Sequence, residues 1–570
     1  MTARKRVMAA VTAASVVWMS SCSSLPHDTD PQVLHSYVPP VAEAPEVGPR
    51  DGREPDLLLR DFYTATAIPS GDFAAARAYL TPEAAKDWSP EGAELLVDAI
   101  DIVTAQGVND DNERSFAVRG SVIGSLEKGG AYVPQNGAYE ARVTMRRVDG
   151  QWRIADLPAG VVLERTELRN QYQPENLYFF EPTGRALISD RRWIYTGQES
   201  LGTELITLLM EGPESQIGPA VANDLPAGAV FAGVNDGVYT FTGMSTMTPE
   251  AKTRFAAQLV WTLANAGVPG PYRAAADGAP LAEGLETMTT DDFAEFNPRS
   301  TTNQAPTLFA LSSGQLLRVS ANAAEPVPNA LGKDGAIQSA DVASGGNMAA
   351  VRKIADDKSR LVLGNAAGEV FDSIEAKTIS RPTFEFGGEA VWVVVDGKRV
   401  SRLVRSTATG KVVESKVDTR AVDAIEGEVS VLRLSHSGAR VAMIIGGRVY
   451  AGVVIPDEAG GYSIDNIREL AGELGGTALT LDWHPDGSIV VGTSTPETPV
   501  WRVEQDGSSV STLPSGNLTA PVVAVAATAT TVYATDAHAT LQLSPQDTDS
   551  AYWREVPGLQ GLRSAPIVAQ

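Results

Sequence analysis

Residues able to do covalent, acid–base or metal chemistry are few in this 570-residue chain, and they are scattered. There is one cysteine, Cys22, so no internal disulfide and no multi-thiolate metal site can form. Of the five histidines, His27 and His35 fall in a Pro-rich, acidic stretch near the N-terminus. His436 and His484 occupy equivalent turns, "SHSG" and "WHPDG", one repeat apart, and His538 lies in the loop "TDAHAT". That placement predicts turn residues rather than metal ligands. The pairs Asp110-Asp111, Asp291-Asp292 and Asp356-Asp357 could in principle move protons. They lie in polar stretches of a very acidic chain, so a solvated surface is the expectation. No G-x-S-x-G elbow, H-E-x-x-H helix, Walker loop, Rossmann glycine fingerprint or calcium loop is present. The residues therefore predict no catalytic site, no metal, no cofactor and no enzyme activity.

Cys22 is the exception, because of what precedes it. "TARKR" is a basic n-region, and Val7 to Trp18 is an apolar run too short to span a bilayer. Residues 1–21 read as an export signal, and no later segment approaches 18 apolar residues. Met19-Ser20-Ser21-Cys22 resembles a bacterial lipobox, with Met19 where Leu is commoner. The resemblance implies cleavage between Ser21 and Cys22, a diacylglycerol on the Cys22 sulfur and an acyl group on its new amino terminus. Ordinary secretory cleavage leaving a free thiol is the alternative. The chain carries a formal charge of −24, or −27 without Arg4, Lys5 and Arg6 of the leader. Such a chain repels phosphate backbones, so nucleic acid is not an expected partner, and it is repelled by anionic lipid. A covalent lipid overcomes that repulsion, since each buried methylene contributes about 0.8 kcal/mol. The expected location is the outer face of the cytoplasmic membrane, held there through Cys22.

The elements behind the leader divide the rest. Residues 22–55 ("CSSLPHDTDPQVLHSYVPPVAEAPEVGPRDGREP") form the acylated cysteine and a Pro-rich, acidic tether with no sustained period. As a flexible coil its ends would lie roughly 30 Å apart. A first α+β domain is expected over 56–164. In it Leu58, Phe62 and Ala65 share a helix face, and Thr81-Pro82-Glu83 opens a short helix. Tyr139, Ala141, Val143 and Met145 then alternate with polar residues, between the turn signals Asn136-Gly137 and Asp149-Gly150. Helices followed by a curled antiparallel sheet ending in "DGQWRIADLP" resemble an NTF2-like module. Residues 165–189 are expected to be a connector, in which "ENLYFFEP" (175–182) reads as a strand or domain connector.

A second α+β domain is expected over 190–297. "LGTELITLLMEGP" is a helix stopped by Gly212 and Pro213. Two strands follow, joined through Asn235-Asp236-Gly237, and Thr248-Pro249-Glu250 starts a helix with Ala251, Phe255, Leu259 and Leu263 on one stripe. This order resembles the GerMN module of spore-germination proteins.

The remainder, 306–570, repeats. "SADVASGGNMAAVRK", "RPTFEFGGEAVWVVV", "VLRLSHSGARVAMII", "LTLDWHPDGSIVVGT" and "APVVAVAATATTVYAT" each join two apolar strands through a turn, at Gly346, Gly388, Gly438, Gly487 and Thr530. Their 42–50-residue spacing is close to one four-stranded propeller blade. "TLFALSSGQLLRVSANAAEPVP" lacks a first strand, and "RSAPIVAQ" at the C-terminus has the shape of one. The expectation is an all-β propeller of six blades, closed by Ala565–Ala569.

Lipobox, acidic tether, NTF2-like module, GerMN-like module and terminal propeller together resemble the LpqB family of actinobacterial lipoproteins. That resemblance implies a partner: the extracytoplasmic domain of the sensor histidine kinase of the MtrA–MtrB two-component system, whose signalling the protein would modulate. The residues themselves indicate only an exported, anchored binding protein. An enzyme or binder acting on envelope glycans, and a scaffold for lipoprotein or envelope assembly, are the other readings.

Overall fold

The structure, a computed structural model, describes residues 48–570 apart from 93, 107–108, 299–305, 367, 407, 545–551 and 570. Two N-terminal α/β domains precede a β-rich, propeller-like C-terminal domain.

The first domain opens with the helix Pro55–Ala65, which starts on a proline where no intrahelical N–H is needed. Leu58, Phe62 and Ala65, the expected stripe, are all buried. Thr81 caps Pro82–Asp87, its hydroxyl accepting from the Ala84 N–H at 3.2 Å. The helices cover a sheet in which Val162–Glu164, Glu94–Thr104, Glu113–Glu127 and Ala131–Val148 lie side by side, with Gln151–Asp156 also on Ala131–Val148. Asp149 and Gly150, both left-handed, turn the last hairpin as expected.

Asn136-Gly137 does not turn the chain. Both residues lie inside the strand Ala131–Val148, where Gly137 pairs with Val122. The reversal instead falls at Gly129 and Gly130, which hold φ of 75° and 77°. A side chain at Gly130 would meet the Trp193 carbonyl oxygen at 2.1 Å. The position therefore needs glycine for two reasons.

The expected connector 165–189 is built of regular elements, and "ENLYFF" lies in a strand. These elements are the helix Arg165–Gln171 and the strand Tyr172–Phe180, which pairs along its whole length with Leu187–Tyr195. This hairpin joins the first sheet through Ala131 and Arg192, and the Trp193 N–H donates to the Gly130 carbonyl at 2.8 Å. Tyr172 and Trp193 belong to the first core, while Leu177, Tyr178, Phe179 and Phe180 belong to the second. The second domain therefore begins before residue 190.

Its other elements follow the expected order. Ser200 caps Leu201–Glu211 and left-handed Gly212 ends it. Thr248 caps Pro249–Asn265, whose Ala251, Phe255, Leu259 and Leu263 are buried. Asp236 and Gly237 turn the hairpin between Val230–Asn235 and Val238–Thr242.

Beyond residue 306 every sheet is four-stranded and antiparallel. The inner strands are Ile337–Val342, Thr383–Phe384, Val429–Leu434, Ala478–Trp483, Ala524–Ala527 and Ala565–Val568. Each touches the next, and the last touches the first. Ala565–Val568 pairs with Leu308–Leu311 as the missing strand of the opening sheet.

One buried carboxyl in the first domain gives a stability prediction. Glu94 has a buried Oε2 with no hydrogen-bond partner, beside the likewise unpartnered Tyr172 hydroxyl. Burial pushes Glu94 up to about 7. The folded state therefore holds the proton more tightly than the unfolded one, so stability falls as pH rises from about 4.5 through 7. Glu94→Gln is expected to gain about 1–2 kcal/mol at pH 8 and nothing at pH 4, by urea unfolding at both pH values. Equal effects at the two pH values would refute the assignment.

Candidate functional site

The inner strands carry charged residues at one level alone. Five residues before each turn glycine stand Asp341, Thr383, Arg433 and Asp482, on four successive strands. The same position of each repeat falls at one level of the ring, where Arg433 reaches the strands on both sides. Arg433 is 3% exposed and Asp482 2%. The Arg433 guanidinium donates to Asp482 Oδ1 at 3.0 Å, to the Pro382 carbonyl at 2.7 Å and to Asp341 Oδ1 at 3.3 Å. Thr383 Oγ1 accepts from the Leu434 N–H, and the Trp483 indole donates to the Arg433 carbonyl.

Arg381, two residues before Thr383, reaches the same carboxylates at longer range, 3.4 Å from Asp341 and 3.7 Å from Asp482. Burial alone would lower the pKa of Arg433; Asp341 and Asp482 outweigh it and hold the group firmly charged. Arg381 is pulled down, first by burial and then by Arg433. Two cations and two anions thus neutralise each other where water is excluded. A cavity of about 120 Å³ opens above them, lined by Asp341, Thr383, Phe386, Arg433, His436 and Val568.

The turns on this side of the ring meet the second domain. Apolar contact comes from Ile188, Ile217 and Ala220 against Ala439 and Val453. Around it lie polar ties across the interface. Arg191 approaches Glu504 at 3.3 Å and Asp506 at 3.6 Å, the Ser189 hydroxyl donates to Gln505 at 3.0 Å, and the Asn466 amide donates to the Gln216 carbonyl at 2.6 Å. Asp190, fully buried, holds Arg192 through two bonds of 2.9 and 2.7 Å and accepts from the Glu214 N–H. Burial, then Asp190, raise Glu214, which faces the buried Arg440 of the propeller-like domain. A small cavity of about 90 Å³ remains in the joint, between Pro182 and Arg185 on one side and Phe386, Trp392 and Tyr462 on the other.

His436 and His484 both come to this joint. They line one small cleft with Tyr178, Leu187 and Ser189 of the second domain. His436 stands edge-on to Phe386 with ring centres 5.2 Å apart, and His484 Nδ1 lies 2.8 Å from Asp486. His538 sits in a hairpin turn held by Asp536. Among the described residues no three His, Cys, Asp or Glu side chains cluster as metal ligands would.

The acidic pairs are exposed. Asp110 accepts from the Asn112 and Glu113 N–H groups, and Asp292 from Thr289, bonds that lower both carboxyls. Ser21, Cys22, His27 and His35 lie outside the described residues.

Burial lowers His436 to about 4. The unfolded chain takes up this proton near pH 6.5 and the folded one only near 4, so stability falls as pH drops through that window. His436→Gln should remove about 1–2 kcal/mol of acid destabilisation between pH 7 and 4.5, trimmed from the full shift because water reaches part of the ring. Parallel stability–pH curves for the two proteins would refute this.

The axial charges do leave a signal in the sequence. "ADV", "LRL" and "LDW" each place a charge inside an apolar strand at the same repeat position. The interface charges carried no such signal, since their partners come from another domain.

Comparison with known proteins covers nearly the whole chain. A family described as the Lipoprotein LpqB N-terminal domain matches residues 48–169. A sporulation and spore germination family (Germane) matches 176–282, and the Lipoprotein LpqB beta-propeller domain matches 314–569. The Germane match begins inside the shared hairpin. Lipoprotein LpqB of Corynebacterium diphtheriae is 41% identical over 562 residues, 96% of each chain. Lipoprotein LpqB of Rhodococcus jostii is 36% identical, covering 99% of this chain and 98% of its own. That of Mycobacterium tuberculosis is 32% identical over 96% of this chain and 97% of its own.

Proposed function

Because this chain belongs to the LpqB family of lipoproteins, we propose that it is a lipid-anchored, extracytoplasmic, non-catalytic binding protein. Its partner in this reading is the outer domain of the sensor histidine kinase of the MtrA–MtrB two-component system, whose signalling it modulates. The observation that carries the reading is the docking of the second domain onto the axial face of the propeller-like domain, which makes one composite surface from two modules. The described residues include no helix long and apolar enough to cross a membrane, so a lipid on Cys22 would supply the attachment.

The proposed architecture is an NTF2-like first domain, a GerMN-like second domain and a propeller of six blades. The continuous contact of inner strands around the ring supports the last of these. Confinement to the kinase's own membrane raises local concentration, so a weak contact suffices. Modulation then requires unequal affinity for two kinase states, since equal affinity shifts nothing.

Two measurements test this. Cys22→Ala should move the protein from the membrane fraction to the soluble one, and retention in the membrane would overturn the anchor. Full-length protein crosslinked in membranes should capture the kinase's outer domain; capture of envelope-assembly proteins in its place would favour a scaffold.

A further inference from the structure

A cavity of about 330 Å³ in the propeller-like domain has no part in the docking of the domains. It lies in the wedge between the sheet Ile337–Ala376 and the sheet Thr383–Lys416. These two sheets pack through modest side chains, among them Ala349 and Val351 against Val391 and Val393. The next joint is filled by larger ones, Trp392 and Met443. Gly364 and Gly388 line the opening and project no side chain into it. The floor is apolar: Met348, Leu363, Phe384, Val391 and Leu403. Binding sites for small molecules begin near this volume and combine such a floor with a few polar groups.

The polar groups here are of opposite charge. Ala390 pairs with Val404, so Glu389 and Arg405 stand across the hairpin from each other, a position where opposite charges normally bond. Here they do not bond. Arg405 lies over the Phe371 ring, 5.1 Å from its centre, and Glu389 is exposed, its charge felt by Arg402 but with no ion pair within 4.0 Å among the described residues. Both line the cavity mouth. One anionic and one cationic subsite thus flank an apolar slot.

We propose that this wedge binds a small zwitterion with an apolar side chain, a free amino acid. Its carboxylate would meet Arg405, its ammonium Glu389, and its side chain the apolar floor. The inference is independent of any kinase partner.

The test is calorimetric titration of the full mature chain with three probes that share an indole: L-tryptophan, tryptamine and indole-3-propionate. L-tryptophan is expected to bind with a Kd of about 1 mM or below, and each probe lacking one charge at least tenfold more weakly. Arg405→Gln and Glu389→Gln, both at the cavity mouth, should each weaken L-tryptophan at least tenfold without moving the melting temperature. Equal binding of all three probes would mean an apolar slot only, and preference for indole-3-propionate an anion site. Either result overturns the proposal. So does failure of L-tryptophan, L-phenylalanine and L-leucine alike to bind.

Discussion

Arg433→Ala is expected to destabilise the propeller-like domain by about 3–5 kcal/mol, among the largest effects a single substitution can have in this chain. The side chain is 3% exposed and donates to the carboxylates of two other inner strands and to the Pro382 carbonyl. Removing it leaves Asp341 and Asp482 facing each other with only the distant Arg381 between them. The cost is that of uncompensated buried charge, not of one lost hydrogen bond. A double replacement, Asp482→Asn with Arg433→Met, should recover part of the loss, because fewer charges then remain to be buried. Urea unfolding followed through tryptophan fluorescence reads the change, since Trp392 and Trp483 lie in this domain and are buried. A loss under 1 kcal/mol for the single variant would show that the quartet does not hold the ring.

Deleting the last six residues should have a comparable effect through a different route. Ile567, Val568 and Ala569 are 2, 3 and 7% exposed, and the segment pairs with Leu308–Leu311. The Ala569 N–H also donates to the Thr307 carbonyl at 3.1 Å. Burial of an Ile or Val side chain contributes about 1.5–3 kcal/mol. Without the strand, Leu308–Ser312 becomes an open edge that invites pairing with another chain. The expected result is a melting temperature lower by about 10–20 °C, with concentration-dependent aggregation. Deletion of Gln570 alone should do nothing. A six-residue truncation that melts like the parent would exclude closure by the C-terminus.

The closing strand could be foreseen because "RSAPIVAQ" repeats the shape of "TAPVVAV", and a ring lacking one strand must find it somewhere. The caps at Thr81 and Thr248 and the stripe Ala251-Phe255-Leu259-Leu263 were equally plain, since their determinants lie within a few residues of each other. Asn136-Gly137 misled because a turn dipeptide is also compatible with an extended strand, and the tertiary need for glycine beside Trp193 placed the reversal at Gly130. The hairpin Tyr172–Tyr195 escaped because its residues are apolar toward two cores, which blurs the period-2 alternation. The docked face escaped for a simpler reason. Arg191 meets Glu504 more than 300 residues away, and no local pattern encodes that distance.

The same hairpin bears on how such chains are inherited. Trp193 faces the first core and its neighbour Ile194 the second, so one pair of strands serves both modules. Genetic exchange that cut anywhere between Tyr172 and Tyr195 would deliver two half-built cores. The first two modules are therefore expected to fold as a pair, each lacking part of its core when cut from the other here.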